Sequence, residues 1–268
     1  MEPGIYGNIS NEEYHKSKGL SASGLKLLAR SPAHYKYSVR EETPAMRRGT
    51  ATHTAVFEPE RFARDYIAAP TLDRRTKAGK EAWVELEASG KIVLSADEYA
   101  DVMGMAMAVM EHSRASALVA GGVAETSIAW EYNLALDGEE ASISLRARTD
   151  YIKPMSGGSI LVDLKSAKDA TWGFASDAYR LGYHLQAAHY MRAVTSTDYG
   201  TPQAFLFIAV EPEKPYGVMV YEVDYPFLER GYEETGRLYE IYARCVRDNS
   251  WPKYEEKIQK LGLPRWAA

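Results

Sequence analysis

Two carboxylates and one amine stand out by type and spacing: Asp150, Asp163 and Lys165. Asp150 lies near the end of one alternating stretch, a glycine-rich turn follows, and Asp163-Leu164-Lys165 lies in the next stretch. Residues two apart on a strand share a face, so Asp163 and Lys165 point the same way. If the two stretches pair as a hairpin, Asp150 falls beside Asp163. Carboxylates that close repel each other and need a proton or a metal between them. Hard oxygen ligands favour Mg2+ or Mn2+. A cation there polarises a phosphoryl oxygen and acidifies a bound water, while an ammonium holds that water or stabilises developing charge. The chemistry indicated is phosphodiester hydrolysis. Spacing alone fits a solvated surface hairpin with an Asp–Lys pair at least as well.

The elements that must position these groups read as helices, then strands, then a helix. Ser21 or Ser23 caps a helix carrying Leu25, Leu27 and Leu28. Ser31-Pro32 restarts one, with proline in its first turn. Arg48-Gly49 is expected to break the chain before a short helix over 50–57, which Glu58-Pro59 ends. A charged loop and a helix fill 72–87. Ser95 to Glu98 spells a capping box for a helix to about Ala120. Val102, Met105, Ala106 and Val109 share one of its faces. Met103, Met107 and Met110 form a second stripe, read as core packing, before Gly121-Gly122 ends the helix. Strands are expected over 124–136, 141–152 and 159–165, with turns at Asp137-Gly138 and from Pro154 to Gly158. A helix over 177–194, strands over 203–211 and 217–223, and a closing helix over 225–246 complete one α/β domain around a central mixed sheet.

Composition sets limits. The chain has 268 residues, ample for a buried core, and 46% hydrophobic with 26% charged residues is ordinary for a globular protein. The net charge of -5 argues against a uniformly basic nucleic-acid-binding surface. It leaves room for a local basic channel, and carboxylates that hold cations lower net charge without repelling DNA once loaded. Basic residues cluster at Lys26, Arg30, Lys36, Arg40, Arg47 and Arg48, then Arg74, Arg75, Lys77 and Lys80. For any single one, a solvated helix face is the better reading. The lone Cys245 excludes an intramolecular disulfide and fits a reducing compartment. No apolar run approaches a membrane span, and residues 1–9 do not read as a signal peptide, so a cytoplasmic location without membrane contact is expected.

Asp150…Asp163-Leu164-Lys165 resembles the core motif of PD-(D/E)XK nucleases, the restriction-endonuclease-like fold. Pro3-Gly-Ile-Tyr6, Glu13-Tyr-His15, Leu20-Ser-Ala-Ser-Gly-Leu25, Ser31-Pro-Ala-His-Tyr35, Arg48-Gly-Thr-Ala-Thr-His53, Phe57-Glu-Pro-Glu-Arg-Phe62 and Leu263-Pro-Arg-Trp266 resemble, in order, the RecE-type exodeoxyribonuclease VIII domain. The resemblance spans nearly the whole chain. It implies a single domain over 1–268: a mainly helical N-terminal part (1–122) carrying His53, a nuclease core (123–224), and a closing helix with tail (225–268). It implies a Mg2+-dependent exonuclease, with Mn2+ able to substitute and one or two ions per site. His53, Asp150, Asp163 and the Leu164 carbonyl match the metal ligands, with Glu125 a further candidate. Lys165 matches the catalytic lysine, and Gln186 with Tyr190 match a Gln-x-x-x-Tyr motif over the site. Ser21, Ser23 and Arg30 are candidates for a terminal 5′ phosphate, although a capped surface helix explains them equally well. Expected partners are double-stranded DNA ends, a single-strand annealing recombinase and further copies of the chain in a ring. His15, His34, His112, His184 and His189 are read as structural.

Overall fold

Short helices, most of them started by a side-chain cap, build the N-terminal third. The structure, a computed structural model, describes residues 1–7, 9–39, 43–70 and 75–263. Arg40, Arg74 and the tail residues Pro264, Arg265 and Trp266 lie outside the described residues. Strand β1 (Gly4–Tyr6) precedes α1 (Asn11–Lys16), which opens on a Ser10/Glu13 capping box. Ser21 caps α2 (Ala22–Arg30), its Oγ accepting from the Gly24 N–H. Ser31 ends α2 and caps α3 (Pro32–Tyr37), where proline's missing N–H costs nothing.

The expected break at Arg48-Gly49 is absent, because α4 (Pro44–Phe57) runs through both residues. A glycine inside a helix costs about 1 kcal/mol. Burial of Ala51, Val56 and Phe57 from the same helix outweighs that. Then come α5 (Pro59–Asp65), β2 (Tyr66–Ala68), α6 (Lys77–Ala88) and β3 (Ile92–Leu94). β2 and β3 pair in parallel as a small separate sheet that the sequence does not announce. α7 (Ala96–Glu111) opens on the expected Ser95/Glu98 box but stops well short of Ala120. His112 Nδ1 accepts from the Ala115 N–H and caps a new helix, α8 (Ser113–Leu118). Met107 and Met110 are 56% and 53% exposed, so of the methionine stripe only Met103, half-buried, packs against a core; Met105 on the other face is buried.

The middle of the chain forms the sheet. β4 (Val123–Leu136) and β5 (Glu139–Met155) are joined by Asp137-Gly138, both with positive φ, the conformation a tight hairpin requires. β5 continues past Pro154, and β6 (Gly158–Ser166) returns after a turn at Ser156 and Gly157. The single helix expected over 177–194 is two, α9 (Phe174–Arg180) and α10 (Tyr183–Thr195), separated at left-handed Gly182. β7 (Pro202–Val210), β8 (Val218–Glu222) and α11 (Tyr225–Asp248) follow. The strand order is β1-β4-β5-β6-β7-β8, with β6 and β7 parallel and the other pairs antiparallel. The crossover from β6 to β7 passes through α9 and α10.

Helices cover both sides of this mixed sheet. Leu25, Leu28, Ala187, Val194, Leu238 and Tyr239 from α2, α10 and α11 form one core, and Ala51, Val56, Met105 and Val109 from α4 and α7 form the other. In β6, Leu161 joins the first core while Val162 and Leu164 join the second. Alternation therefore turns Asp163 and Lys165 toward α10. Among the described residues, no helix is long and apolar enough to cross a membrane.

Candidate active site

β5 and β6 pair from Met155–Gly158 to Tyr151–Val162, and the next position in that register sets Asp150 opposite Asp163. Here the backbone ladder gives way to a side chain: the Leu164 N–H donates to Asp150 Oδ2 at 3.0 Å. A residue's N–H and C=O project to the same side of an extended strand, so the Leu164 carbonyl also points toward β5.

On the other side of β5, the β4 register places Glu125 opposite Asp150, between the pairs Ala124–Tyr151 and Thr126–Thr149. Glu125 has a left-handed backbone, φ 48°, a conformation that costs a non-glycine residue about 1–2 kcal/mol. The pleat changes phase at this point. Ile128, Trp130, Leu145 and Ala147 face the core under α10 and α11, yet Ala124 and Tyr151, of the same parity, face the core under α4. The irregularity turns a buried strand end into a place where side chains from both faces meet. His53 of α4 enters from the second face, its Nδ1 3.3 Å from Asp150 Oδ2. One ligand atom from each of His53, Glu125 and Asp150 lies within 4.8 Å of the others.

Asp163, expected as a ligand beside Asp150, stands outside that group and holds two other side chains. It is 1% exposed. Gln186 Nε2 donates to its Oδ1 at 2.6 Å, and the Lys165 ammonium contacts Oδ2. Among the described residues, the Lys165 ammonium is the one group that meets the buried Oδ2.

Several groups here have displaced acidities. Burial and the Asp150 charge push Glu125 up to about 7, against His53 and Arg148. Burial and Asp150 push Asp163 up to about 6, against Lys165. Burial acts to lower Lys165, but Asp163 and Asp150 outweigh it and raise the ammonium above its ordinary range. Carboxylates have been gathered past the point where water alone keeps them all ionised.

His53, Glu125 and Asp150 line a cavity of about 290 Å³, whereas Asp163 and Lys165 lie behind its wall, Asp163 bonded to the cavity-lining Gln186. Ser21, Ser23 and Lys26 of α2 line one wall and His53 another, with Glu125, Arg148, Asp150, Gln186 and Tyr190 completing it. The chain over residues 21–263 matches the family described as a PDDEXK-like domain of unknown function, DUF3799. The chain belongs to this family.

One likeness to a solved structure shows a shared fold. A crystal structure of a protein from Eubacterium rectale, described as "Putative exonuclease", aligns at 14% identity with a TM-score of 0.55, over 97% of each chain. A second structure, SSO0001, aligns at 14% identity and a TM-score of 0.35, over 85% of this chain and 81% of that one, too distant to carry weight. No curated protein matches the chain.

The structure of this PDDEXK-like domain also separates residues that sequence grounds group together. Arg30 is in the last turn of α2 and does not line the cavity, whereas Ser21 caps the first turn. At 1.5 Å per residue the two are about 13 Å apart along the helix, too far to hold one phosphate with Ser21 and Ser23. The cation on that wall is Lys26, which on sequence grounds falls among solvated helix faces. Its ammonium is 3.4 Å from Gln186 Oε1 and 4.9 Å from the Tyr183 ring centre. Burial, then the neighbouring Lys165 charge, lowers it to about 8. Its spacing of four from Ala22 and three from Ser23, both cavity-lining, is the local signal; its partners come from α10, far along the chain. Arg148 is equally illegible in the sequence. Its guanidinium donates to Ser127 Oγ at 2.8 Å and the Ile9 carbonyl at 3.0 Å, and lies 4.4 Å from the Tyr14 ring centre. It ties the N-terminal segment across the cavity. Of the histidines read as structural, His189 is buried between the Tyr239 hydroxyl and the Arg146 carbonyl, while His15 lines the cavity.

Proposed function

We propose that this chain is a divalent-cation-dependent nuclease that hydrolyses phosphodiester bonds of DNA from the ends of linear duplexes. The observation that carries this reading is the opened strand pair at Asp150 and Asp163, with His53 and Glu125 converging on Asp150 and Lys165 held against Asp163.

The residues present suit a cation. Glu125 is driven toward its neutral form by burial and by Asp150, Asp150 carries its charge at the same point, and His53 brings a nitrogen there. His53, Glu125 and Asp150 would hold the ion, with the Leu164 carbonyl and Asp163 beside it. One nitrogen among carboxylates suits Mn2+ as well as Mg2+. When bound, the ion supplies Lewis acidity toward a phosphoryl oxygen.

The chain's own groups do the rest. Lys165 presents an ammonium to the negative charge that develops on the phosphoryl oxygens, and Asp163 keeps it protonated and aimed. Gln186 fixes Asp163 through the 2.6 Å hydrogen bond. Tyr190, one turn further along α10, packs against the first core and closes the cavity. The N-terminus of α2 with Ser21 and Ser23 offers N–H and hydroxyl groups to a phosphate.

The finer reading is 5′ to 3′ digestion that leaves 3′ single-stranded tails for a recombination partner, a single-strand annealing recombinase, by a ring of copies. The resemblance of the N-terminal motifs supports it; the description of the Eubacterium rectale neighbour bears only on exonuclease activity. The test is digestion of end-labelled linear duplex against covalently closed circles, with Mg2+ and Mn2+ titrated and a chelator control. Loss of linear duplex alone is expected. Cut circles would make the enzyme an endonuclease, and DNA binding without any cutting would make it an inactive scaffold.

A further inference from the structure

The side chain of Lys26 lies in a place made for it. Its stem crosses Gly182, where an added Cβ would meet Lys26 Cγ at 3.3 Å. Gly182 is also left-handed, φ 68°, so glycine serves both the break between α9 and α10 and the passage of this side chain. Beyond it, the ammonium of Lys26 and that of Lys165 each lie 4.9 Å from the centre of the Tyr183 ring. Two like charges thus share one aromatic ring, whose negative face favours both. The Lys26 ammonium then faces Gln186 Oε1 at 3.4 Å, and the other end of that amide donates to Asp163 at 2.6 Å.

A glutamine amide has nearly the same shape in its two flipped orientations, and only its partners choose between them. With Lys26 in place, a flip sets donor against donor at one end and acceptor against carboxylate at the other. We infer that Lys26 is a positioning residue that acts through Gln186, locking its amide so that Asp163 in turn holds Lys165. This inference rests on the nuclease reading for its consequence, though not for its geometry.

The experiment has two arms on the full chain. In the first, the Gln186 side-chain amide is followed by nitrogen-resolved NMR, without DNA or cation, in the wild type, Lys26→Met and Lys26→Arg. A single amide pair shifted by its carboxylate partner is expected in the wild type. It should broaden or move in Lys26→Met and return toward the wild-type position in Lys26→Arg. An amide unchanged in Lys26→Met overturns the inference whether or not the chain cuts DNA.

The second arm is a double-mutant cycle on cleavage. Lys26→Met should lower kcat about tenfold with KM little changed, and should cost little more once Gln186 is Ala. The salt dependence of DNA binding should stay as in the wild type. A salt slope reduced by about one unit, or losses that multiply, would make Lys26 a direct phosphate contact and sink the positioning role. A wild type that neither binds nor cuts DNA would refute the nuclease reading, and the amide signal of the first arm would then decide the role of Lys26 by itself. Gly182→Ala, which crowds the same stem, should reproduce the amide change.

Discussion

Glu125 and Asp150 oppose each other across β4 and β5 at the one pair where the β4 backbone is left-handed and the pleat changes phase. A strained residue carrying a carboxylate, set against a second carboxylate and within reach of an imidazole, is costly unless a cation occupies the space between them. That cost is what makes the site's cation response measurable.

Glu125 should release a proton when a divalent cation binds. Its folded-state acidity near 7 lies above the ordinary carboxylate value of 4.5. In the cation-free chain its contribution to stability is therefore full below about 4.5 and is lost as pH rises through about 7. A cation reverses that loss. Calorimetric titration of Mn2+ at pH 6.5 in buffers of different ionisation enthalpy should show proton release that fades by pH 8.5. Glu125→Gln should bind more weakly and without that dependence. Heats that do not vary with buffer would remove Glu125 from the site.

Lys165→Ala should reduce cleavage about a thousandfold, the scale on which a charge aimed at a developing anion acts. Folding should survive, because Asp163, already displaced to about 6, can take up a proton when its ammonium partner goes. Full activity on end-labelled duplex would take Lys165 out of the mechanism.

His189 should make the fold sensitive to acid. It is fully buried, with its two ring nitrogens paired to Tyr239 and to the Arg146 carbonyl, and burial holds its acidity at about 4. The unfolded chain takes up that proton at about 6.5, so stability is full above 6.5 and falls as pH drops toward 4. The advantage of the wild type over His189→Gln in urea unfolding should shrink by about 3 kcal/mol between pH 7 and 4. A constant difference would mean the imidazole is protonated in the fold.

Two glycines of α11 should behave oppositely. A Cβ at Gly231 meets the His184 carbonyl oxygen at 2.2 Å and Ala188 Cβ at 2.9 Å, so Gly231→Ala must push α11 off α10. A loss of about 3 kcal/mol is expected, at the upper end for an overpacked core. Gly236 has nothing within 4 Å of the added atom, and Gly236→Ala should gain up to about 1 kcal/mol of helix propensity. Chemical denaturation of both variants checks the pair, and equal effects would contradict this packing of α10 on α11.

Much of the fold was legible because its determinants are local. Serine caps at Ser21, Ser31 and Ser95 and the Asp137-Gly138 turn act within a few residues, and each does in the structure what its spacing suggests. Where local signals misled, a longer-range term won. Gly49 reads as a break, but burial of α4 carries the helix through it. Residues 112 and 182 read as helix interior, but His112 serves as a cap and Gly182 makes room for Lys26.

By itself the sequence determined that Asp163 and Lys165 share a face, because a strand alternates with period two, and that Asp150 could be brought opposite them by a hairpin. Only the tertiary structure decided which groups meet Asp150 there. The convergence of Glu125 and His53 depends on a left-handed residue within a strand and on how α4 is laid over the sheet. The placement of Lys26 against Gln186, like the exclusion of Arg30, depends on the docking of α2 against α10. These are contacts between distant segments, set by packing two cores on one sheet, and no spacing along the chain encodes them.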